Sequence, residues 1–301
     1  MINSTLSTAD SHSDGSRALR TAPRQPVLPD SLLRRYGASV RDRIAGAVPW
    51  LKYAWSKPLT VVILGMHRSG TSCITRIINV AGASLGGPVA AANPWNLAGH
   101  WESLEGLAVN DLILQINGGA WDDPPVVRHC PNWMRVKMRR FLGELHADGT
   151  AVWKDPRTVL TFPLWKPYLR NYRILATLRH PLSVARSLQR RDGYSIEKGL
   201  ALWREYSERL LAIVQTENRV HWVDFDSAPS VFQAQLHDFA SAAGLRMNGD
   251  ALASYDPSLR TSDDLSGPID NPTQSLYAEL RRISAVAADR VDRHSMDFSH
   301  L

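Results

Sequence analysis

One segment constrains the fold more than any other: an apolar strand that runs directly into a glycine-containing loop and then into a helix. Residues 59–64 read LTVVIL, a nearly continuous apolar run that is typical of a strand covered on both faces. The loop 65–72 reads GMHRSGTS, and Ile74, Ile77 and Ile78 follow it at helical spacing. This order predicts a parallel sheet with a ligand-binding loop at the carboxyl end of one strand.

Strands and helices continue to alternate after this segment. Apolar runs predict three further strands, at 151–153, 172–178 and 220–225. Helical patterns are found at 103–117, 133–146, 182–190, 196–217 and 230–242. The alternation predicts an α/β protein with a P-loop-like three-layer fold, in which helices flank a central parallel sheet.

The chain divides into four stretches by composition. Residues 1–28 are rich in Ser, Thr, Arg and Pro without periodicity, so we expect a disordered tail. We expect short helices at 29–57 as a lead-in, the α/β core at 58–245, and a C-terminal loop and helix at 246–301. The polar, proline-containing stretch 255–272 is typical of a long loop, and a loop of this length can cover a binding site.

Bulk properties limit the class of protein. The 301 residues carry a net charge of +6, which suits an anionic ligand. Only two cysteines occur, Cys73 and Cys130, so no disulfide framework is expected. No run is long and apolar enough for a membrane span, and we expect a cytoplasmic protein. The basic and apolar stretch 38–55 either packs on the core as a helix or contacts the inner membrane surface, and Pro49 argues against the second because it would break a long amphipathic face.

The loop from Gly65 to Ser72 has the chemistry of an anion site. Backbone N–H groups at a helix N-terminus favour a phosphate, and glycines let the backbone approach it closely. Arg68 adds a fixed positive charge, and hydroxyl groups lie on both sides of Gly70. Thr71 stands where a Walker A loop has its lysine, which argues against an ATP or GTP hydrolase.

Three segments together resemble the sulfotransferase superfamily that uses 3′-phosphoadenosine 5′-phosphosulfate (PAPS) as its sulfuryl donor. They are GMHRSGTS at 65–72, WKDPR at 153–157 and RHPLSVARS at 179–187. The first resembles the family's 5′-phosphosulfate motif. The third resembles its 3′-phosphate motif, in which an Arg at a strand end pairs with a Ser eight positions later. The second resembles the basic strand end that faces the transferred group.

The resemblance implies the donor-binding residues by position. They are His67, Arg68, Ser69, Gly70, Thr71, Ser72, Arg179 and Ser187. It also implies PAPS as co-substrate, and neither the family pattern nor the spacing of the histidines predicts a metal site. The glycine-rich motif of the cytosolic aryl sulfotransferases is missing, which argues against small phenolic acceptors.

Four residues are the catalytic candidates. We expect Arg68 to stabilise the leaving phosphate and Lys154 to lie near the transferred sulfonate, unless Lys154 only caps a helix or lies on the surface. We expect Glu102 to be the base, its pKa raised by Trp101 beside it; the alternative is a carboxylate that favours a helix dipole. His100 is the second candidate for the base.

The acceptor is the least determined part. The loop segment 93–102 resembles the bacterial, glycan-modifying branch of the family, which implies a sugar hydroxyl on a glycan or glycolipid. Trp95 and Trp101 either stack on a sugar or anchor the loop. Arg190, Arg191 and Tyr194 line the cleft or form a solvated basic helix end.

Three other functions compete with a sulfotransferase. A P-loop kinase of a small molecule would need ATP and magnesium. A nucleic-acid-binding protein is suggested by charge alone, and no such partner is expected because the basic cluster 135–140 is short. An inactive scaffold that binds the donor would keep the loop but not the catalytic candidates.

Overall fold

A four-stranded parallel sheet organises the molecule. The computed structural model describes residues 40–91, 99–255 and 265–297, and the side chains of 47–91, 99–255 and 265–285. Within these residues the strands are β1 (Leu59–Leu64), β2 (Ala151–Lys154), β3 (Asn171–Leu178) and β4 (Val220–Asp224). Their order in the sheet is β2-β1-β3-β4, and all neighbours are parallel. The predicted fold class and the four predicted strand positions are confirmed.

Helices connect the strands and cover the sheet. They are α1 (Val40–Ser56), α2 (Thr71–Val80), α3 (Leu104–Ile116), α4 (Asn132–Leu145), α5 (Thr158–Trp165), α6 (Pro181–Asp192), α7 (Ile196–Thr216), α8 (Pro229–Ala243), α9 (Gly249–Ala253) and α10 (Asn271–Asp297). The six helices predicted in the α/β core lie where their periodicity placed them. Because crossovers between parallel strands carry helices to both faces, the protein has three layers.

Alternation along β1 divides the core into two halves. Val61 and Ile63 pack in one cluster with α2 and α8. Val62 and Leu64 point to the opposite face and pack in a larger cluster with α3, α4 and α7. All four side chains are fully buried, which explains why the strand reads as a continuous apolar run and not as an alternating one.

Two glycines shape the turn after β1. Gly65 lies so close to β3 that a Cβ at this position would stand 2.3 Å from Thr177 Cγ2. Gly70 has a φ of +86°, and a Cβ there would lie 2.1 Å from the ring of Phe225. Both positions therefore require glycine for close approach, and Gly70 also for its left-handed backbone.

Helix α1 differs from expectation. Pro49 is expected to break a long amphipathic helix, but α1, which has 17 residues, continues through this proline. Tertiary packing overrides the local preference, because Gly143 on α4 lets the two backbones approach closely at Pro49. The opposite side of α1 exposes Val48, Leu51 and Trp55. Contact of this apolar face with a membrane surface stays a prediction; among the described helices none could cross a membrane.

Helix α5 was not predicted. Its residues are buried on nearly every side except at Pro163, so apolar residues occupy all faces and no helical period is visible in the sequence. The predicted C-terminal boundary of the long loop at 255–272 is wrong by two residues, because α10 begins at Asn271. Residues 256–264, and the expected tail at 1–28, lie outside the described residues.

Candidate active site

The carboxyl ends of β2, β1 and β3 lie side by side. Ile63 of β1 pairs with Lys154, the last residue of β2, and with Leu175 of β3. The loop after β1, the end of β2 and Arg179 just after β3 therefore meet at one edge of the sheet. This edge brings together residues from all three segments that carry the family resemblance.

The loop 65–72 is held in shape by hydrogen bonds from its own residues and from β3. Ser69 Oγ donates to Met66 O at 2.6 Å, and Thr177 Oγ1 donates to Ser69 O at 2.8 Å. Arg68 adopts a φ of +67°, a backbone conformation that residues other than glycine rarely adopt. Helix α2 begins at Thr71 without an acidic residue in its first turn. Its N-terminal N–H groups and dipole therefore favour an anion without competition from a nearby carboxylate.

The loop 65–72 and the segment 179–187 contact each other. Arg68 Nε donates to Ser187 Oγ at 2.8 Å, and Arg179 Nη1 donates to Arg68 O at 2.8 Å. Arg179 also lies 3.6 Å from Asp226 Oδ1, and its carbonyl accepts from Trp203 Nε1. The loop after β1 and the start of α6 thus form one continuous basic surface.

Positive charge is concentrated beside this loop. Burial and then the charges of Arg191 and Arg179 lower the pKa of Arg68 to about 10. Arg68 remains protonated at neutral pH, but the lowered pKa records that its neighbours repel it. A bound anion would relieve this repulsion, as expected of a phosphate site.

Lys154 and Glu102 form a buried ion pair at the end of β2. Lys154 Nζ donates to Glu102 Oε1 at 2.9 Å and to Ser72 Oγ at 3.0 Å, and it also donates to the carbonyl of His100. The Lys154 side chain is fully buried, so it is not the surface or capping lysine that was the alternative. The pair joins the loop after β1 to the segment that precedes α3.

Glu102 is held ionised. Burial raises its pKa, but the charges of Lys154 and Arg157 outweigh burial, and the net pKa lies below the ordinary 4.5. The expectation that Trp101 raises this pKa is therefore wrong, because Lys154 and Arg157 together lower the pKa by more than burial raises it. Ser103 caps α3, so Glu102 stands before the helix and not in its first turn. The carboxylate is therefore ionised at neutral pH.

His100 takes part through its backbone. Its carbonyl accepts from Ser72 Oγ at 3.0 Å and from Lys154. Burial lowers the pKa of its imidazole below the usual 6.5, so the ring is neutral at pH 7. Both candidates for the base therefore lie at the same edge of the sheet. Glu102 contacts Lys154 through its side chain, and His100 contacts Lys154 through its backbone carbonyl. Trp95, the other loop tryptophan, lies outside the described residues.

A buried polar network supports the site from below. Arg157 bonds Asp155 Oδ1 at 3.1 Å and lies 2.6 Å from Asp111 Oδ1. Asn110 donates to Asp155 at 2.8 Å and accepts from Trp165 Nε1 at 2.9 Å. The carboxylates raise the pKa of Arg157 above its usual value despite burial. Asp155 is thus a partner of a nearby cation, and Arg157 is a structural residue that the sequence placed in a ligand motif.

His67 is buried within the loop. Its ring lies 4.5 Å from that of Trp121 and 5.7 Å from that of Tyr206, centroid to centroid. Burial, followed by the charges of Arg157 and other cations, places its pKa well below 6.5. Trp121 and Tyr206 are buried core residues. Sequence reasoning missed Trp121, because no motif links it to the loop.

Replacing His67 with Gln is expected to flatten the pH dependence of stability. Below about pH 6.5 the unfolded chain binds a proton at this histidine that the folded chain does not, so the free energy of unfolding falls with falling pH. One such group contributes up to about 1.4 kcal/mol per pH unit. Urea unfolding at about pH 7 and about pH 5.5 measures the slope. The exposed His129→Gln should keep the wild-type slope; an unchanged slope in His67→Gln contradicts the prediction.

No metal-binding group of three or more His, Cys, Asp or Glu occurs among the described residues. Comparison with known proteins gives structural likeness only. No family model matches the sequence, and no curated protein matches it.

Three solved structures to which the chain is similar are sulfotransferases. One is the sulfotransferase domain of an olefin synthase from Synechococcus PCC 7002, with a TM-score of 0.48 and 16% identity over 74% of this chain and 94% of that one. The others are sulfotransferase STF1 from Mycobacterium tuberculosis H37Rv (0.40, 13%, over 76% and 84%) and sulfotransferase STF9 from Mycobacterium avium (0.42, 15%, over 85% and 86%).

Proposed function

We propose that this protein is a sulfotransferase that moves a sulfuryl group from PAPS to an acceptor hydroxyl. One observation carries the proposal: a buried Lys154–Glu102 pair bonds the hydroxyl of Ser72 in the anion loop, and the same loop bonds Ser187 and Arg179 through Arg68. These connected side chains support the proposal, because they supply a carboxylate, a buried cation and two further basic residues at one edge of the sheet.

The two ends of the donor would bind to different parts of this surface. The loop 65–72 and the N-terminus of α2 suit the 5′-phosphosulfate, since the N–H groups and the dipole at a helix N-terminus favour an anion. Arg179 and Ser187 suit the 3′-phosphate, because a guanidinium offers two parallel donors to a phosphate. Arg68 belongs to the loop, bonds both Arg179 and Ser187, and would neutralise the leaving 5′-phosphate.

The transfer step uses the charges already present. The acceptor oxygen forms a bond to sulfur as the bond from sulfur to the bridging phosphate oxygen breaks. The hydroxyl proton passes to the Glu102 carboxylate, and the electron pair leaves with the 5′-phosphate of 3′-phosphoadenosine 5′-phosphate (PAP). Lys154 is drawn toward the sulfonate and away from Glu102. Because Lys154 lowers the pKa of Glu102, its departure makes the carboxylate a stronger base at the moment of transfer.

A kinase that uses ATP and magnesium remains the second candidate function. Lys154 bonds Ser72 from β2, so a lysine does approach the loop although Thr71 replaces the Walker lysine. The Arg179–Arg68–Ser187 connection favours PAPS over ATP. A 3′-phosphate needs a cation of its own, and ATP carries no 3′-phosphate.

For the acceptor we propose a carbohydrate or glycolipid hydroxyl, because the loop before α3 resembles that of the glycan-modifying branch.

Replacing Arg179 with Ala is expected to weaken PAP binding by at least about 10-fold, because a charge-assisted pair of hydrogen bonds to the 3′-phosphate is lost. Calorimetric titration of the wild-type chain with PAP measures the affinity, and ATP with magnesium and adenosine 5′-phosphosulfate serve as comparison ligands. Neither comparison ligand carries a 3′-phosphate, so both should bind the wild type more weakly than PAP.

Arg173→Ala is the matched control for this titration. Arg173 lies on the same strand, β3, but near its amino end, where it pairs in register with Val61. It should leave PAP binding unchanged. Tighter binding of ATP with magnesium than of PAP by the wild type would overturn the sulfotransferase proposal and favour the kinase.

A further inference from the structure

Two buried polar atoms beside the anion loop have no hydrogen-bond partner among the described residues. They are Nε2 of His67 and Nη2 of Arg191. His67 is 5% exposed, and the Arg191 side chain is 8% exposed. Buried polar groups in proteins are nearly always bonded, so two such atoms at one place need a missing partner. Leaving a charged nitrogen without one is the more costly case.

Both residues contact the same aromatic ring. The His67 ring lies 4.5 Å from Trp121, and the Arg191 guanidinium carbon lies 5.2 Å from the Trp121 centroid. Trp121 itself is fixed, since its carbonyl accepts from Tyr206 Oη at 2.9 Å. The three side chains, here called the Trp121 wall, therefore pack together.

The charges around this wall favour an anion. The Coulomb effects of Arg157, Arg191, Lys154 and Arg68 all act on His67. Asp192 opposes them in part, because it bonds Arg191 Nε at 2.7 Å. That bond occupies one nitrogen of the guanidinium and leaves Nη2 for another acceptor. A neutral His67 adds a donor at Nε2 in one tautomer without adding charge.

The resemblance places His67 among the donor-binding residues, but the proposed function assigns the donor's phosphates to other side chains and to the loop backbone. Arg179 and Ser187 serve one phosphate, and Arg68 and the loop serve the other. Arg191 lies one helical turn beyond Ser187 on α6, on the same side of the helix. Arg191 contacts Trp121 and belongs to neither donor motif.

We propose that Arg191 Nη2 and His67 Nε2 bind an oxyanion carried by the acceptor, a carboxylate or a phosphate. This rests on the proposed function, since it assigns the acceptor side of the same site. The acceptor is then a hydroxyl compound with an acidic group close to the hydroxyl that receives the sulfuryl group. A bidentate or charge-assisted contact at this wall orients the acceptor oxygen toward the loop.

The test uses the full chain saturated with PAP, so that the donor phosphate sites are filled. Inorganic phosphate and acetate are then titrated separately by calorimetry, with chloride as the ionic control. One additional site is expected for phosphate or for acetate, and the tighter of the two identifies the acidic group. Arg191→Gln should weaken it by at least about 10-fold, and Arg191→Lys by less, because Lys keeps the charge but not the fork.

Arg190→Gln is the control variant, since Arg190 is the exposed neighbour on the same helix turn and should leave the affinity unchanged. Thermal melting checks that each variant is folded, and Arg191→Lys carries the test if Arg191→Gln is not. Absence of a second anion site while PAP binds overturns this inference and leaves the proposed function intact. Weakening of PAP itself by Arg191→Gln also overturns it, by assigning Arg191 to the donor. Failure of PAP to bind the wild type overturns the proposed function instead.

Discussion

Replacing Glu102 with Gln is expected to lower kcat for sulfuryl transfer by about 10²–10⁴-fold while PAP affinity stays within about threefold. The amide keeps an oxygen that accepts from Lys154 Nζ, so the geometry of the pair is retained. It cannot accept the proton of the acceptor hydroxyl, so the catalytic function is lost. Initial rates of PAP release from saturating PAPS measure the effect, with a pool of methyl glycosides as acceptors that includes sugars bearing a carboxylate or a phosphate.

His100→Gln is the matched control for this substitution. His100 contacts Lys154 and Ser72 through its carbonyl, which any residue supplies, so we expect less than about a tenfold change in rate. The pH profile gives a second criterion. Because the pKa of Glu102 lies below 4.5, the rate should stay constant as pH falls from about 8 to about 6. A large loss in His100→Gln and a small one in Glu102→Gln would assign the base to His100.

Replacing Arg157 with Met is expected to lower the free energy of unfolding by about 3–5 kcal/mol. Arg157 is fully buried and is the cation partner of Asp155 and Asp111. Without it, these carboxylates remain in the interior without compensating charge, or must take up protons. Urea denaturation at neutral pH measures the change through the unfolding midpoint.

Arg282→Met is the control for Arg157→Met. Arg282 pairs with Glu279 on the surface of α10, where water screens the charges, so the unfolding midpoint should not move. A loss below about 1 kcal/mol in Arg157→Met would show that the buried network does not stabilise the fold. A loss of PAP binding in a folded Arg157→Met would instead place Arg157 at the ligand, as the motif around it first suggested.

Local chemistry determined the frame of the molecule. The apolar run of β1, the glycines of the following loop and the helical spacing after Thr71 each act within a few residues, so sequence reasoning located them. The same holds for β3, and for Arg179 and Ser187, since a strand end and a helix face fix their separation. Parallel order then places the carboxyl ends together without further information.

Tertiary structure alone decided what those residues contact. Glu102 and Lys154 are 52 positions apart, and their pairing, which lowers the pKa of Glu102, depends on how the segment before α3 folds over β2. Arg157 stands in the segment that resembles a basic strand end, and its burial between two carboxylates cannot be seen in a short sequence. Arg191 and His67 gained significance only through Trp121, a shared neighbour. Long-range packing determines the ionisation of a side chain, its burial and which of its polar atoms have hydrogen-bond partners. The chemistry of a site depends on these three properties.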